Sequence, residues 1–109
     1  MRSTVEKRGG DVFQALADPT RRELLDLLMD GEQPVKSLAE PFGMSRPAIS
    51  QHLRVLRHAG LVNERKVGRE RCYRLSAAQL REVSDWLRKY ERFWGEKLDA
   101  LGEHLDEAQ

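Results

Sequence analysis

The chain has 109 residues and a formal net charge of +1 at pH 7, so it holds one domain with a modest core, and its overall charge alone selects no polyanionic partner. No stretch approaches the roughly 18 apolar residues of a membrane span, and residues 1–10 are polar with no apolar leader, which points to a cytoplasmic protein. A single cysteine, Cys72, excludes an internal disulfide and agrees with a reducing compartment.

Apolar residues recur at helical spacing and long β-branched runs are missing, so a mainly helical fold is predicted. Residues 1–10 read as a flexible arm and residues 106–109 as a flexible tail, with one domain over 11–105. Asp11 can cap a short helix carrying Val12, Phe13 and Leu16 on its apolar side. Asp18 is the next cap, with Pro19 at a first helical position that needs no N–H. Leu24, Leu25, Leu28 and Met29 form that helix's expected buried stripe, and Gly31 stops it. Pro34 can open a third helix through Val35, Leu38, Ala39 and Phe42. Gly43 is then a left-handed C-cap or a turn residue, after which Ser45 caps a fourth helix that tolerates Pro47 in its first turn.

In that fourth helix Ile49, Leu53 and Leu56 make the anchoring stripe, leaving Arg46, Ser50, Gln51 and Arg54 on other faces. Two helices joined by a short glycine-containing turn, the second polar and basic, make a helix-turn-helix. A β-hairpin is predicted next, turning at Val67–Gly68, with Arg65, Lys66, Arg69 and Arg71 crowded at its tip. Residues 45–75 hold eight Lys or Arg against two acids, whereas the segments on either side are each net acidic. A focused basic patch on a mildly acidic body suits a nucleic-acid face. Ser76 then reads as the cap of the longest helix, Ala77 to Leu105. Leu80, Leu87, Trp94 and Leu101 recur every seven residues there, and Val83, Tyr90, Leu98 and Leu105 widen the stripe. So small a domain cannot cover such a helix, so this helix and the short first one are expected to pack on a second copy of the chain. Gly95 and Gly102 either let two backbones approach or merely weaken the last turns.

Residues from about 11 to 105 resemble the ArsR/SmtB family of bacterial winged-helix repressors. The resemblance rests on Ala15-Leu16-Ala17-Asp18-Pro19-Thr20-Arg21-Arg22, on the run Ser45 to Val62, and on Gly68-Arg69-Glu70-Arg71-Cys72-Tyr73-Arg74-Leu75. It implies a winged helix-turn-helix, mainly α with a two-stranded hairpin wing and an extended carboxyl-terminal dimerisation helix. It also implies a homodimer on a double-stranded DNA operator, with two recognition helices in successive major grooves and a wing beside each. The expected DNA-binding residues are Ser45, Arg46, Ser50, Gln51, His52, Arg54, Arg57, Arg65, Lys66, Arg69 and Arg71. The expected dimer interface is Val12, Phe13, Leu16, Leu80, Val83, Leu87, Tyr90, Trp94, Leu98 and Leu101.

The chain departs from the metal-sensing members of that family. Where they carry a Cys-Val-Cys ligand pair it has Pro34, Val35 and Lys36, and where they use an Asp-x-His pair and a later His it has Asp85, Leu87 and Leu98. Isolated His52, His58 and His104 do not replace those ligands, so neither metal nor cofactor is expected. Cys72 invites a redox role, against which a small semi-buried strand residue is favoured. Trp86, Tyr90, Phe93 and Trp94 are core or interface filler, or else line a pocket for a small-molecule effector. No glycine-rich phosphate loop, paired carboxylates or nucleophile with a base at motif spacing marks an enzyme. The rival class is a winged-helix module that binds a protein partner and not DNA.

Overall fold

A computed structural model describes residues 11–93 and residue 95. The amino-terminal arm, Trp94, Leu98, Leu101, Gly102, His104, Leu105 and the 106–109 tail lie outside the described residues. The first helix, α1 (Val12–Ala15), is capped by Asp11, whose carboxylate accepts from the Phe13 N–H at 3.0 Å. Asp18 does the same for α2 (Pro19–Leu27), accepting from Thr20 N–H at 2.7 Å and Arg21 N–H at 3.2 Å. Burial alone would raise the Asp18 pKa, but these two backbone N–H groups, with the nearby Arg21 charge, outweigh it and hold the carboxyl below its ordinary value.

After Leu27 the helix tightens into one 3-10 turn, Leu28–Asp30, closed by Gly31 at φ 134°. A 3-10 turn has fewer residues per turn than an α-helix, so the stripe falls out of phase: Leu24, Leu25 and Leu28 are buried, but Met29 is 72% exposed, against the expected stripe. Gln33 Nε2 donates to the Leu27 carbonyl at 2.6 Å and closes the helix end.

Three antiparallel strands form the sheet, one more than the hairpin alone: residues 33–34 (β1) and 62–67 (β2) lie on either side of residues 70–75 (β3). The short β1 (Gln33–Pro34) pairs with β3 (Glu70–Leu75) through Gln33 to Tyr73 and Pro34 to Cys72. Pro34 therefore belongs to the sheet and flanks α3 (Val35–Ala39), which is shorter than expected. The turn over residues 40–45 includes Gly43, which does not adopt positive φ, so only its turn role holds. The recognition helix α4 (Arg46–His58) begins at Ser45, whose hydroxyl accepts from the Ala48 N–H at 3.3 Å. Gly60, at φ 80°, then reverses the chain into β2 (Val62–Val67).

The core is one apolar cluster in which Leu24, Leu28, Leu38, Ile49, Leu53, Leu56, Leu61 and Val62 are the largest fully buried side chains. It draws on α1, α2, α3, α4 and the sheet, so the recognition helix is held from several sides. Cys72 is a free, buried strand residue, which agrees with the structural reading and denies a redox partner easy access.

The last helix corrects two expectations. Ser76 is not a cap, because it stands four residues before the helix, where its N–H donates to the Leu61 carbonyl at 2.9 Å and closes the base of the hairpin. Helix α5 starts later, at Leu80, with Gln79 at its cap position and no side-chain cap bond. It runs to Arg88, a turn at Lys89–Tyr90 follows, and helical backbone resumes at 91–93, so the described part is not one unbroken helix. No described helix is long and apolar enough to cross a membrane.

Candidate nucleic-acid interface

Burying Ile49, Leu53 and Leu56 leaves the other faces of α4 outward. With 3.6 residues per turn, Arg46, Ser50, Arg54 and Arg57 fall in a single row beside the buried stripe, and Gln51 stands on the side away from it; all five are exposed. Long donors alternating with short polar groups along one helix ridge suit base edges and the phosphates beside them. Among the described residues Arg46 and Arg54 make no ion pair, so both donor sets remain available.

His52 does not share that row. It is half-buried, and Arg21 Nη1 lies 3.2 Å from its Nδ1. A guanidinium only donates, so the contact requires Nδ1 to be the unprotonated, accepting nitrogen. Arg21 also donates to the carbonyls of Ala15 (2.9 Å) and Gln14 (3.3 Å), tying the end of α1 to the recognition helix. His52 thereby makes a scaffold contact on the flank of α4, apart from the exposed row.

The hairpin register runs from Val62 opposite Leu75 to Val67 opposite Glu70. The loop is therefore Gly68–Arg69, one residue later than the expected turn, with Gly68 at φ 65°, a backbone region that favours glycine. Lys66 and Arg69 stand exposed at this tip and make no ion pair among the described residues.

The other basic residues assigned to DNA are already engaged. Arg65 Nε lies 3.0 and 3.1 Å from the two carboxylate oxygens of Glu32. Arg71 Nη1 donates to Glu64 at 2.6 Å, and Arg57 Nε lies 3.7 Å from the same carboxylate. Tyr73 donates its hydroxyl to Glu64 at 3.0 Å. The Arg71 hydrogen bond lowers the Glu64 pKa; burial opposes it, and the Tyr73 hydroxyl and Arg57 charge add to the lowering. Burial, then the neighbouring Glu64, raises the Tyr73 pKa. Glu64 gives no sign of this as an isolated acid in a basic segment, nor does Glu32 in the acidic segment before it; for Glu64 the signal is the strand register, which places it opposite Tyr73.

The residues assigned to a dimer divide. Val12 is 4% exposed and belongs to the core, which removes it from any interface. Leu16, Leu80 and Val83 are half-buried against that core. Phe13, Trp86, Leu87, Tyr90 and Phe93 are exposed, and Phe13, Trp86 and Tyr90 form edge-to-face contacts with 5.4 Å between successive ring centroids. Beside them Leu80, Val83, Ser84, Leu87, Arg88 and Glu91 line an open groove of about 580 Å³.

The positions matching the Cys-Val-Cys ligand pair do not fit a metal. Pro34 has no donor side chain, Val35 is buried in the apolar core and Lys36 is cationic.

A family model described as the bacterial regulatory protein arsR family matches residues 18–64, from the cap of α2 into the first wing strand. The transcriptional repressor SdpR of Bacillus subtilis is 38% identical over 77 residues, covering 71% of this chain and 86% of that protein. The HTH-type transcriptional regulator Rv2034 of Mycobacterium tuberculosis is 40% identical over 94 residues, covering 86% and 85%. Among solved structures, an ArsR-like transcriptional regulator from Rhodococcus sp. RHA1 has a TM-score of 0.63 at 41% identity, covering 83% of this chain and 85% of its own. With the winged helix-turn-helix already traced through α3, α4 and the sheet, the chain belongs to the ArsR family of bacterial regulatory proteins, which are transcriptional regulators and not enzymes.

Proposed function

We propose that this regulator is a cytoplasmic, metal-independent homodimeric repressor that binds a pseudo-palindromic operator. The observation that carries the proposal is the outward row on α4 beside a wing tip whose Lys66 and Arg69 lack acidic partners among the described residues. In this reading Ser45, Arg46, Ser50, Gln51 and Arg54 supply base and nearby backbone contacts, and Lys66 and Arg69 supply phosphate or minor-groove contacts. The exposed aromatic face of α1 and α5 supports the dimer, because contiguous apolar patches on soluble proteins mark association sites. Two-fold symmetry then sets the half-sites about one helical turn, roughly 10 bp, apart. The side chains at residues 34–36 support metal independence.

The test is a titration of the protein onto a labelled duplex from the DNA upstream of its own coding sequence, with excess unrelated competitor, at several salt concentrations, with and without chelator. Competitor-resistant binding that survives chelation is expected. Binding that requires added metal would overturn metal independence, and no binding under any condition would favour a protein-interaction module. Arg69→Ala should weaken all sequences alike and make the salt slope shallower by about one; an unchanged slope would remove the wing tip from the phosphates.

A further inference from the structure

We propose that Glu64 is a positioning residue that locks the wing at one angle to the recognition helix and so sets operator specificity without touching DNA. This inference rests on the DNA-binding reading above. Glu64 lies within β2, and its side chain is only 17% exposed. Its carboxylate accepts from Arg71 and Tyr73 of β3 and faces Arg57 in the last turn of α4. One side chain thus joins the helix expected to enter the major groove to both strands of the hairpin expected to lie beside it. Glu32 braces the sheet again through Arg65, reaching from the residue before β1 to β2.

This arrangement divides the basic residues by task. Arg57, Arg65 and Arg71 already face carboxylates, so turning them to phosphate would cost a charge-assisted contact and release fewer counterions. Lys66 and Arg69 face no such cost. The paired arginines hold the direction of the wing, and the unpaired cations at its end supply attraction.

Specificity follows from rigidity. Base-edge contacts demand placement within a few tenths of an ångström, about 0.5 Å at most. A wing fixed to α4 satisfies its own contacts only when the recognition row is also in register. A loosened wing can still find phosphate on any duplex, but that contact no longer aligns the helix. Removing the Glu64 charge also makes the face more positive, which strengthens attraction to every sequence. The two effects oppose one another on the operator and not on random DNA.

The experiment compares full-length wild type, Glu64→Gln, Tyr73→Phe and Arg71→Gln on the upstream duplex and on a random duplex of equal length, across a salt series, with thermal unfolding of each protein. For Glu64→Gln, random-duplex binding should tighten with a salt slope steeper by about one, because the released Arg71 gains a phosphate contact that it does not make in the wild type, while preference for the upstream duplex falls about tenfold, the scale of one lost base-edge contact. Tyr73→Phe should lower that preference less and leave the slope unchanged, because it removes a hydrogen bond and no charge. Arg71→Gln should also lower preference at constant slope. Unchanged preference in both Glu64→Gln and Tyr73→Phe would reduce Glu64 to a screening charge and overturn the proposal. A shallower slope in Arg71→Gln would make Arg71 a phosphate ligand and overturn it too, as would a parallel fall of both affinities that tracks lost thermal stability. Wild type that fails to distinguish the two duplexes would overturn the DNA-binding reading itself, and this inference with it.

Discussion

The recognition helix and the last helix carry comparable apolar stripes but meet opposite fates. In α4, Ile49, Leu53 and Leu56 are all 0% exposed, and the helix is capped at its start by Ser45. In α5 no residue is buried, the start has no side-chain cap, and Trp86 and Leu87, like Tyr90 in the turn that follows, remain at least 40% exposed. Among the described residues α4 is completed by its own fold, whereas much of the apolar surface of α5 stays exposed. Hydrophobic spacing specifies that a face will be covered; it does not specify by whom.

The largest effect expected from this contrast is on folding. Leu53→Ala should cost about 2–5 kcal/mol of stability, as cavities in packed cores do, whereas Leu87→Ala in dilute, monomeric protein should cost under about 1 kcal/mol. Urea unfolding of both variants checks the difference, and equal losses would erase the distinction between the helices. Next, Trp86→Ala should spare monomer unfolding but weaken self-association by about 2 kcal/mol, the scale of an aromatic hot spot; sedimentation equilibrium reads this directly. An unchanged association constant would move the dimer contact away from the aromatic row.

A further effect comes from acid. The folded pKa values of Asp18 and Glu64 are lowered from ordinary values of 3.8 and 4.5. Their stabilisation is therefore fully present above those ordinary values and is lost as pH falls through the lower folded ones. The urea midpoint should drop below about pH 4.5, and the drop should shrink in Glu64→Gln; an identical acid profile would detach Glu64 from this behaviour. The smallest effect expected is from Gly68→Ala at the wing loop, where positive φ costs a Cβ-bearing residue about 1 kcal/mol. Its thermal midpoint should fall slightly while the core of α4 keeps its hydrogen-exchange protection; an unchanged midpoint would show that the loop relaxes freely.

Much of the fold was legible where a local rule operates. Asp11, Asp18 and Ser45 each stand at a helix start, and their side chains make the expected cap bonds. The stripe of α4 and the basic hairpin were equally readable, because each depends on spacing within one element. Tertiary pairing was not legible. Pro34 stands at the start of α3 as expected, but its pairing in the sheet was hidden because its partner, Cys72, lies far along the chain. Ser76 looked like a cap because nothing local signals that its N–H is taken by Leu61. Met29 left the core through a 3-10 turn that a uniform helical period does not anticipate. Within the interface, exposure of Arg46, Ser50, Gln51 and Arg54 followed from the stripe, but the engagement of Arg57, Arg65 and Arg71 depends on where two acids stand in the folded sheet.

The arrangement of the sheet also bears on solubility. A strand with an open side is a template for unwanted pairing between molecules. Here β1 is only two residues long and ends in Pro34, which has no N–H to offer, while β2, at the opposite side, carries Arg65 and Lys66. Any third molecule adding a strand must accept a missing donor on one side or bury cations on the other. Both open sides of the sheet therefore resist wing-to-wing pairing when copies of the protein crowd together.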